Sequence, residues 1–216
     1  MASHGGRTGL RAAPVQRAGN GKARILEAAI DLVGERGHAG ATISEICKRA
    51  RIQPPAVYHH FGSKEGVIAA AVETIAAAWL AELEKALPAN RTFDQRLRKA
   101  VQGWQAAIEA PTKPVKMLLT IQLECADRSV TIRDALRRVH EQACAVVRRD
   151  LDQSGLFDGT AALADTVVGL VFAAALRFHL EADRTALRRR LREVARMLTL
   201  HVDRERPLSP RKEHSA

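Results

Sequence analysis

The chain has 216 residues, of which 46% are hydrophobic, so it can bury the core of one large domain or of a small domain joined to a larger one. Alternating β-branched residues are rare while Ala, Leu, Arg and Glu dominate, which favours an all-α fold and argues against sheet architectures. The net charge of +10 is compatible with a polyanionic partner, but basic tails are common in proteins that touch no nucleic acid, so charge alone predicts little.

Residues 1–20 are rich in Gly, Ala and Arg and show no helical periodicity, so they predict a flexible basic arm. Whether this arm follows a groove of DNA or is an inert tail stays open. From residue 21 onward, apolar residues recur at helical spacing and predict a first helix that ends at Gly37, a residue suited to a helix C-terminus.

The segment ATISEICKRA predicts a short second helix with a capping box. Thr42 is the expected N-cap, and Glu45 stands three positions later, so each side chain can satisfy a free backbone donor of the other residue. Apolar residues at helical spacing give this helix one buried stripe.

A third short helix is predicted to begin with Pro54 and Pro55 in its first turn. Backbone N–H groups there have no intrahelical acceptor, so the prolines break no hydrogen bond and start the helix. Gly62 is expected to end it, and Ser63 to cap a long fourth helix that continues to about Leu87.

Apolar stripes after a linker around residues 88–91 predict further helices, of which the one at 161–180 is apolar on two faces. Such a helix needs two packing partners, so together with the last helix we expect it to form a four-helix interface between two copies of the chain. The residues expected at this dimer interface are Val168, Phe172, Ala175, Leu191 and Leu198.

Two short helices joined by a tight turn form a helix-turn-helix, which places its second helix in the major groove of DNA while the first crosses the backbone. Gln53 can pair with adenine, and the small residues after it allow close approach and contact with a thymine methyl group. The hydroxyl of Tyr58 and the ammonium of Lys64 suit phosphates. The candidate DNA-binding residues are Thr42, Ser44, Gln53, Pro54, Pro55, Ala56, Tyr58, His59 and Lys64.

The other side of the third helix is expected to hold the domain together, with Val57 and Phe61 facing inward. We expect His59 to point toward DNA and His60 to be partly buried. The adjacent histidines resemble metal ligands, but neighbouring helical residues point about 100° apart and no cysteine or acid lies at ligand spacing. Neither a metal nor a cofactor is therefore expected.

The segment TISEICKRARIQPPAVYHHFGSKEGV resembles the DNA-binding segment of TetR-type (tetracycline-repressor-like) transcriptional regulators, in which the recognition helix ends in Tyr-x-His-Phe before a polar turn with a lysine. The resemblance covers roughly residues 22–72. Two features depart from the family pattern. Arg51 stands where the turn usually has glycine, and Pro54 and Pro55 replace the more usual polar residue and glycine.

The resemblance implies that the remainder of the chain is an all-helical ligand-binding and dimerisation domain. The expected division is an arm at 1–20, a helix-turn-helix domain at 21–68 with the fourth helix continuing to about 87, an effector-binding and dimerisation domain at 91–204, and a flexible tail at 205–216. The family also implies a mainly apolar effector pocket between C-terminal helices. Candidate pocket residues are Trp104, Met117, Ile121, Gln122, Cys125, His140, Cys144 and Phe172.

Together these features predict a homodimeric, ligand-responsive transcriptional regulator, most often a repressor in such families, that binds a near-palindromic double-stranded operator. The competing hypothesis is an enzyme or small-molecule carrier whose N-terminal helices only form a scaffold. No acid pair, Ser/His set or metal cluster stands at catalytic spacing, so we do not expect an enzyme. A third hypothesis is a helix-turn-helix that serves protein–protein contact alone.

The cysteines and the N-terminal segment indicate the cellular compartment in which the protein is expected. Cys47, Cys125 and Cys144 lie far apart without a C-x-x-C pattern, which fits a reducing cytosol. The N-terminus has no apolar core of signal-peptide length, and the longest uncharged apolar stretch, 166–176, is too short to span a bilayer. A cytoplasmic protein without a membrane partner is expected.

Overall fold

The computed structural model of the protein describes residues 21–87, 90–109, 113–125 and 129–205. The predicted N-terminal arm and residues 206–216 of the predicted tail lie outside these ranges. Within them the regular elements are all helices, which confirms the all-α prediction. These helices are α1 (Gly21–Gly40), α2 (Ile43–Ala50), α3 (Pro54–Phe61), α4 (Lys64–Ala86), α5 (Phe93–Glu109), α6 (Lys113–Cys125), α7 (Val130–Ser154), α8 (Thr160–Glu181) and α9 (Arg184–Glu205).

The predicted end of α1 and the predicted cap of α2 are both present, with small differences. Gly37 has a positive φ of 73°, as expected for a helix end, but α1 resumes after this kink and reaches Gly40. The Thr42 hydroxyl accepts a hydrogen bond from the Glu45 backbone N–H at 3.2 Å, which caps α2. The Glu45 carboxylate lies 3.5 Å from the Arg36 guanidinium of α1, so the other half of the capping box is used to link α2 to α1.

The turn between α2 and α3 keeps the left-handed backbone that glycine would favour, although arginine occupies it. Arg51 has φ 54° and ψ 50°, and its backbone N–H bonds back to α2. The Arg24 guanidinium supports the turn, donating to the backbone carbonyl of Ala50 and, at 2.7 Å, to that of Arg51. A non-glycine residue in this conformation costs about 1–2 kcal/mol, so the turn geometry is retained against local strain.

Replacing Arg51 by glycine is expected to raise the free energy of unfolding by about 0.5–1 kcal/mol, because the strain is relieved and the bonds from Arg24 go to backbone carbonyls that glycine also has. Urea denaturation measures this change. Lys48→Gly is the matched control, since Lys48 is exposed on α2 in helical conformation and its replacement should lower stability by about 1 kcal/mol. A loss of stability in Arg51→Gly would contradict the strain argument.

The third helix begins at its prolines and ends at glycine, as predicted. Pro54 and Pro55 occupy the first turn, and Gly62 has φ 72° and closes the helix. Val57 is fully buried and Phe61 packs against the same core, which confirms the inward side of α3. The prediction for His60 is wrong: its side chain is exposed because it lies on the solvent side of this short helix.

The core beneath the helix-turn-helix is shared with the C-terminal part of the chain. One cluster of buried residues joins α1–α4 to Met117, Ile121 and Cys125 of α6 and to Ile132 of α7. The helix-turn-helix region and the rest of the chain therefore meet through a continuous apolar contact, in which α6 packs chiefly against α1.

The C-terminal helices contain two further apolar clusters. One joins α5, α7, α8 and α9 around Leu151 and Ala164, and the other joins α5, α8 and α9 around Leu187 and Leu191. Trp104 is partly buried and packs against both clusters. Nearby, the buried Arg96 guanidinium is paired with the Asp150 carboxylate and donates to the backbone carbonyl of Arg91 at 2.6 Å, which links α5 to α7.

Three of the five residues expected at the dimer interface are buried inside the subunit. Ala175, Leu191 and Leu198 are 9%, 0% and 4% exposed, because α8 and α9 bury them against each other and against α5. These side chains are engaged in packing within the subunit, and their place at a dimer interface stays a prediction. Val168 and Phe172 are half-buried at the flank of α8.

Two helices are long and apolar enough to cross a membrane by length and composition alone. The core helices of proteins that enter no membrane pass the same test. The apolar window of α4 is 39% buried, whereas that of α8 is only 22% buried. The second value shows that α8 keeps an apolar surface that the described residues of the chain do not cover.

Candidate nucleic-acid interface

The N-terminal end of α3 presents a polar and rigid edge to solvent. Gln53, Pro54 and Pro55 are exposed, and Ala56 is half-buried behind them. Gln53 is the N-cap residue by position, but its side chain makes no capping hydrogen bond. Its amide is therefore not committed to the helix and can donate and accept at a base edge.

The side of α3 that adjoins α2 forms an open groove of about 570 Å³. Tyr58 stands on its rim with 53% of its surface exposed, which places the phenol hydroxyl outside the core. His59 is exposed on the same short helix. The groove is lined by Ile43, Ser44, Cys47, Lys48, Arg51, Ile52, Gln53, Pro54 and Tyr58.

The N-terminus of α2 contributes hydroxyl groups and the positive end of a helix dipole. Thr42 and Ser44 are both exposed there. The Thr42 oxygen already accepts the capping hydrogen bond, and its O–H can still donate to an anion. The orientation of these groups suits a phosphate oxygen.

Lys64 has a structural contact that its sequence position did not reveal. Its ammonium donates to the backbone carbonyl of His38 at 2.7 Å, which ties the start of α4 to the end of α1. An ammonium has three N–H donors, so this bond leaves capacity for a phosphate.

Sequence reasoning missed two cations on the groove, Lys48 and Arg51. Both are exposed, and both line the groove beside α3. Helical periodicity placed Lys48 outside the buried stripe of α2, and that signal could have found it. Arg51 was noticed only as a departure from glycine, although its charge suits a phosphate as well.

The eight candidate effector residues do not come together in one place. Met117, Ile121 and Cys125 are buried in the core that α6 shares with α1–α4 and α7. Gln122 is exposed on the outer side of α6. Trp104, Cys144 and Phe172 are half-buried, and His140 is exposed beside Cys144.

Comparison with known proteins identifies this arrangement. Residues 25–71, which include the exposed recognition helix and its groove, match the family model described as bacterial regulatory proteins of the tetR family. The chain therefore carries the DNA-binding domain of the TetR family of transcriptional regulators.

Relatives of this chain agree over most of its length. It is 24% identical to the HTH-type transcriptional regulator BetI of Burkholderia ambifaria over 165 residues, which cover 72% of this chain and 82% of BetI. Reduced NemR of E. coli has the same fold with a TM-score of 0.71 and 21% identity, over 81% of this chain and 96% of NemR. A structure described as the molecular basis for control of antibiotic production by bacterial hormones matches with a TM-score of 0.67 and 23% identity, over 86% of this chain and 98% of that one.

The match places the DNA-binding part of this chain at α1–α3 and the beginning of α4. The same segment carries the exposed edge of α3, the groove beside it and the α2 N-terminus. These features support regulation of transcription through a helix-turn-helix.

Proposed function

We propose that this regulator binds a near-palindromic operator as a homodimer, represses transcription there, and changes its affinity for the operator when a small molecule binds between its C-terminal helices. We assign it a binding role and not a catalytic one, and it would act in the cytoplasm, where bacterial DNA lies. The proposal rests above all on the outward-facing, proline-started edge of α3 with uncommitted Gln53 at its tip.

Two copies of α3 would have to fit adjacent major grooves on one side of the duplex. Helix-turn-helix dimers achieve this when their recognition helices lie about 34–36 Å apart, which is one turn of B-DNA. The two half-sites of the operator would then be related by the same two-fold axis as the subunits. Gln53 and the prolines would meet base edges, and Tyr58, Thr42 and Ser44 would meet phosphates.

The outer side of α8 is the surface that a second copy would cover. Its exposed or half-buried residues form one stripe of small and apolar side chains, and Leu180 is 75% exposed. Small residues let two helices approach closely, and the apolar area removed from water would stabilise the pair. The stripe consists of Ala162, Gly169, Ala173, Leu176 and Leu180, and α9 has exposed large apolar residues of its own, Met197 and Leu200.

The effector would bind where the two C-terminal apolar clusters meet. Trp104 is the half-buried residue that packs against both, so it would stand at the side of the bound effector. Gln105 and Glu109 on the same helix supply polar groups, with the Gln105 amide donating to Glu109 at 2.9 Å. One structural relative is linked by its description to bacterial hormones, which supports a small-molecule signal.

The signal could reach the DNA-binding helices through α6 as well as through a tilt of α4. Lys113 at the start of α6 lies 2.7 Å from Glu35 and 3.2 Å from Asp31 of α1, and Glu124 near its end accepts from the His38 backbone N–H at 3.1 Å. Hydrogen bonds from Lys113 and Arg49 hold the pKa of the Glu35 carboxyl below its usual value, so the network is charged at neutral pH. A displacement of α6 would therefore move α1.

Selection of bound sequences from a random DNA pool tests the proposed function. The wild-type chain should enrich an inverted repeat with half-site centres one helical turn apart, and Gln53→Ala should relax the preference at one position of each half-site. A lost bidentate base contact reduces discrimination at that position by about 1–3 kcal/mol. The ratio of affinities for the preferred and substituted operators measures this change.

Glu141→Ala is the matched control, because Glu141 is exposed on α7 and remote in sequence from the helix-turn-helix. This variant should select the same repeat as the wild type. Failure of the wild type to enrich any sequence would favour a helix-turn-helix used for protein contact. Tight small-molecule binding or turnover without operator preference would favour a carrier or an enzyme.

A further inference from the structure

Three side chains with metal-binding atoms meet on the outside of the bundle, between α7 and α8. His140 and Cys144 are one helical turn apart on α7, and the His140 Nε2 atom lies 3.5 Å from the Cys144 Sγ atom. Asp165 of α8 brings a carboxylate oxygen to 2.8 Å from the same nitrogen. The three ligand atoms all lie within 4.8 Å of one another.

We propose that His140, Cys144 and Asp165 form a binding site for a divalent transition-metal ion of the zinc type. An imidazole nitrogen, a thiolate and a carboxylate are the donor types that zinc accepts, and three protein ligands leave a fourth tetrahedral position for water or another ligand. This proposal does not depend on the operator or on the effector.

The distances between the ligand atoms fit such a site with little movement. Zinc bonds of about 2.0–2.3 Å place tetrahedral ligand atoms about 3.3–3.6 Å apart. The separation of 3.5 Å between nitrogen and sulfur already has this value, and the His140–Asp165 contact must open by only about 0.5 Å relative to that spacing. Asp165 is well exposed, so its side chain can make this adjustment by rotation.

A hydrogen bond at the Nε2 atom of a neutral His140 can serve only one of its two neighbours, Asp165 or Cys144. The Nε2 atom of a neutral imidazole carries either a proton or a lone pair. If it carries the proton for Asp165, the thiol proton of Cys144 has no acceptor at this nitrogen; if it carries the lone pair, the carboxylate faces another acceptor. A cation placed among the three lone pairs would resolve this conflict.

The charges also balance around a divalent ion. Cys144 would bind the ion as a thiolate, so its thiol proton must leave. When the metal binds, the proton passes to solvent, and the thiolate and carboxylate together neutralise the two positive charges of the ion. The bound ion would connect α7 to α8 at one point.

Cobalt(II) spectroscopy and thiol alkylation on the full chain test the site. Addition of Co²⁺ should produce a thiolate-to-cobalt absorption band that Zn²⁺ removes and that Cys144→Ser lacks. Zn²⁺ should slow the alkylation of Cys144 by iodoacetamide at least about tenfold, measured by mass spectrometry; Cys47 and Cys125 are buried and serve as internal references.

His140→Ala and Asp165→Asn should each weaken Co²⁺ binding at least about tenfold, since each removes a ligand. His179→Ala and Asp158→Asn are the matched controls, being exposed residues of the same types at the C-terminal end of α8 and just before α8, and they should bind Co²⁺ like the wild type. The proposal is overturned if no thiolate band forms, if the band persists in Cys144→Ser, or if the two ligand variants keep the wild-type affinity.

Discussion

Replacing Pro55 by glutamate is expected to abolish operator binding while leaving the protein folded. Pro55 is exposed in the first turn of α3, on the edge that would enter the major groove. A carboxylate there would face the negative potential of the duplex, and like charges brought together at an interface cost several kcal/mol. We expect operator affinity to fall at least about 100-fold, which corresponds to about 2.7 kcal/mol.

The fold should tolerate this change because an acidic residue in the first turn of a helix interacts favourably with the helix dipole. Thr131→Glu is the matched control: Thr131 is exposed at the equivalent position of the first turn of α7, which is capped by Ser129. Fluorescence anisotropy with a labelled operator measures both variants, and the control should bind within about threefold of the wild type, or about 0.7 kcal/mol. If Pro55→Glu binds the operator as well as the control does, the proposal that this end of α3 enters the major groove is contradicted.

Aspartate substitutions at two adjacent positions of α8 are expected to have large but different effects. Ala173 is exposed on the outer stripe, whereas Ala174 is 4% exposed and packed in the cluster that contains Leu187 and Leu191. Ala173→Asp should separate the dimer into folded monomers, because dimerisation would bury two carboxylates at several kcal/mol each. Its dimer dissociation constant should rise at least about 100-fold, and sedimentation equilibrium measures this rise.

Ala174→Asp should instead destabilise the subunit itself by about 3–5 kcal/mol, since an unpaired carboxylate would lie in an apolar cluster. Urea unfolding followed by circular dichroism separates the two cases: Ala173→Asp keeps the helical signal and Ala174→Asp loses it at lower urea. If Ala173→Asp remains a dimer at low micromolar concentration, the outer stripe of α8 is not the interface. Dissociation should also weaken operator binding, because a monomer brings only one α3 to the DNA and contacts only one half-site.

The helix-turn-helix could be predicted from the sequence because its signals act over a few residues. Thr42 caps α2, the prolines start α3 and Gly62 ends it, and each of these effects depends only on the backbone nearby. Val57 was placed inward by helical spacing, and the structure buries it. The conformation of Arg51 could not be predicted in this way, because it depends on the support that Arg24 gives to the turn from 27 residues away.

The sequence by itself therefore determined the helices, the proline-started N-terminal end of α3 and the presence of two apolar sides on α8. Only the tertiary structure decided which side of α8 remains outside. An apolar stripe predicts that its side chains will be buried, but it does not predict which helix or which subunit will bury them. For the same reason Ala175, Leu191 and Leu198 lie inside the chain, and Met117 joins the core of α1. The meeting of Asp165 with His140 and Cys144 also depends on how α7 and α8 pack, since residues far apart in sequence come together only through the contacts between helices.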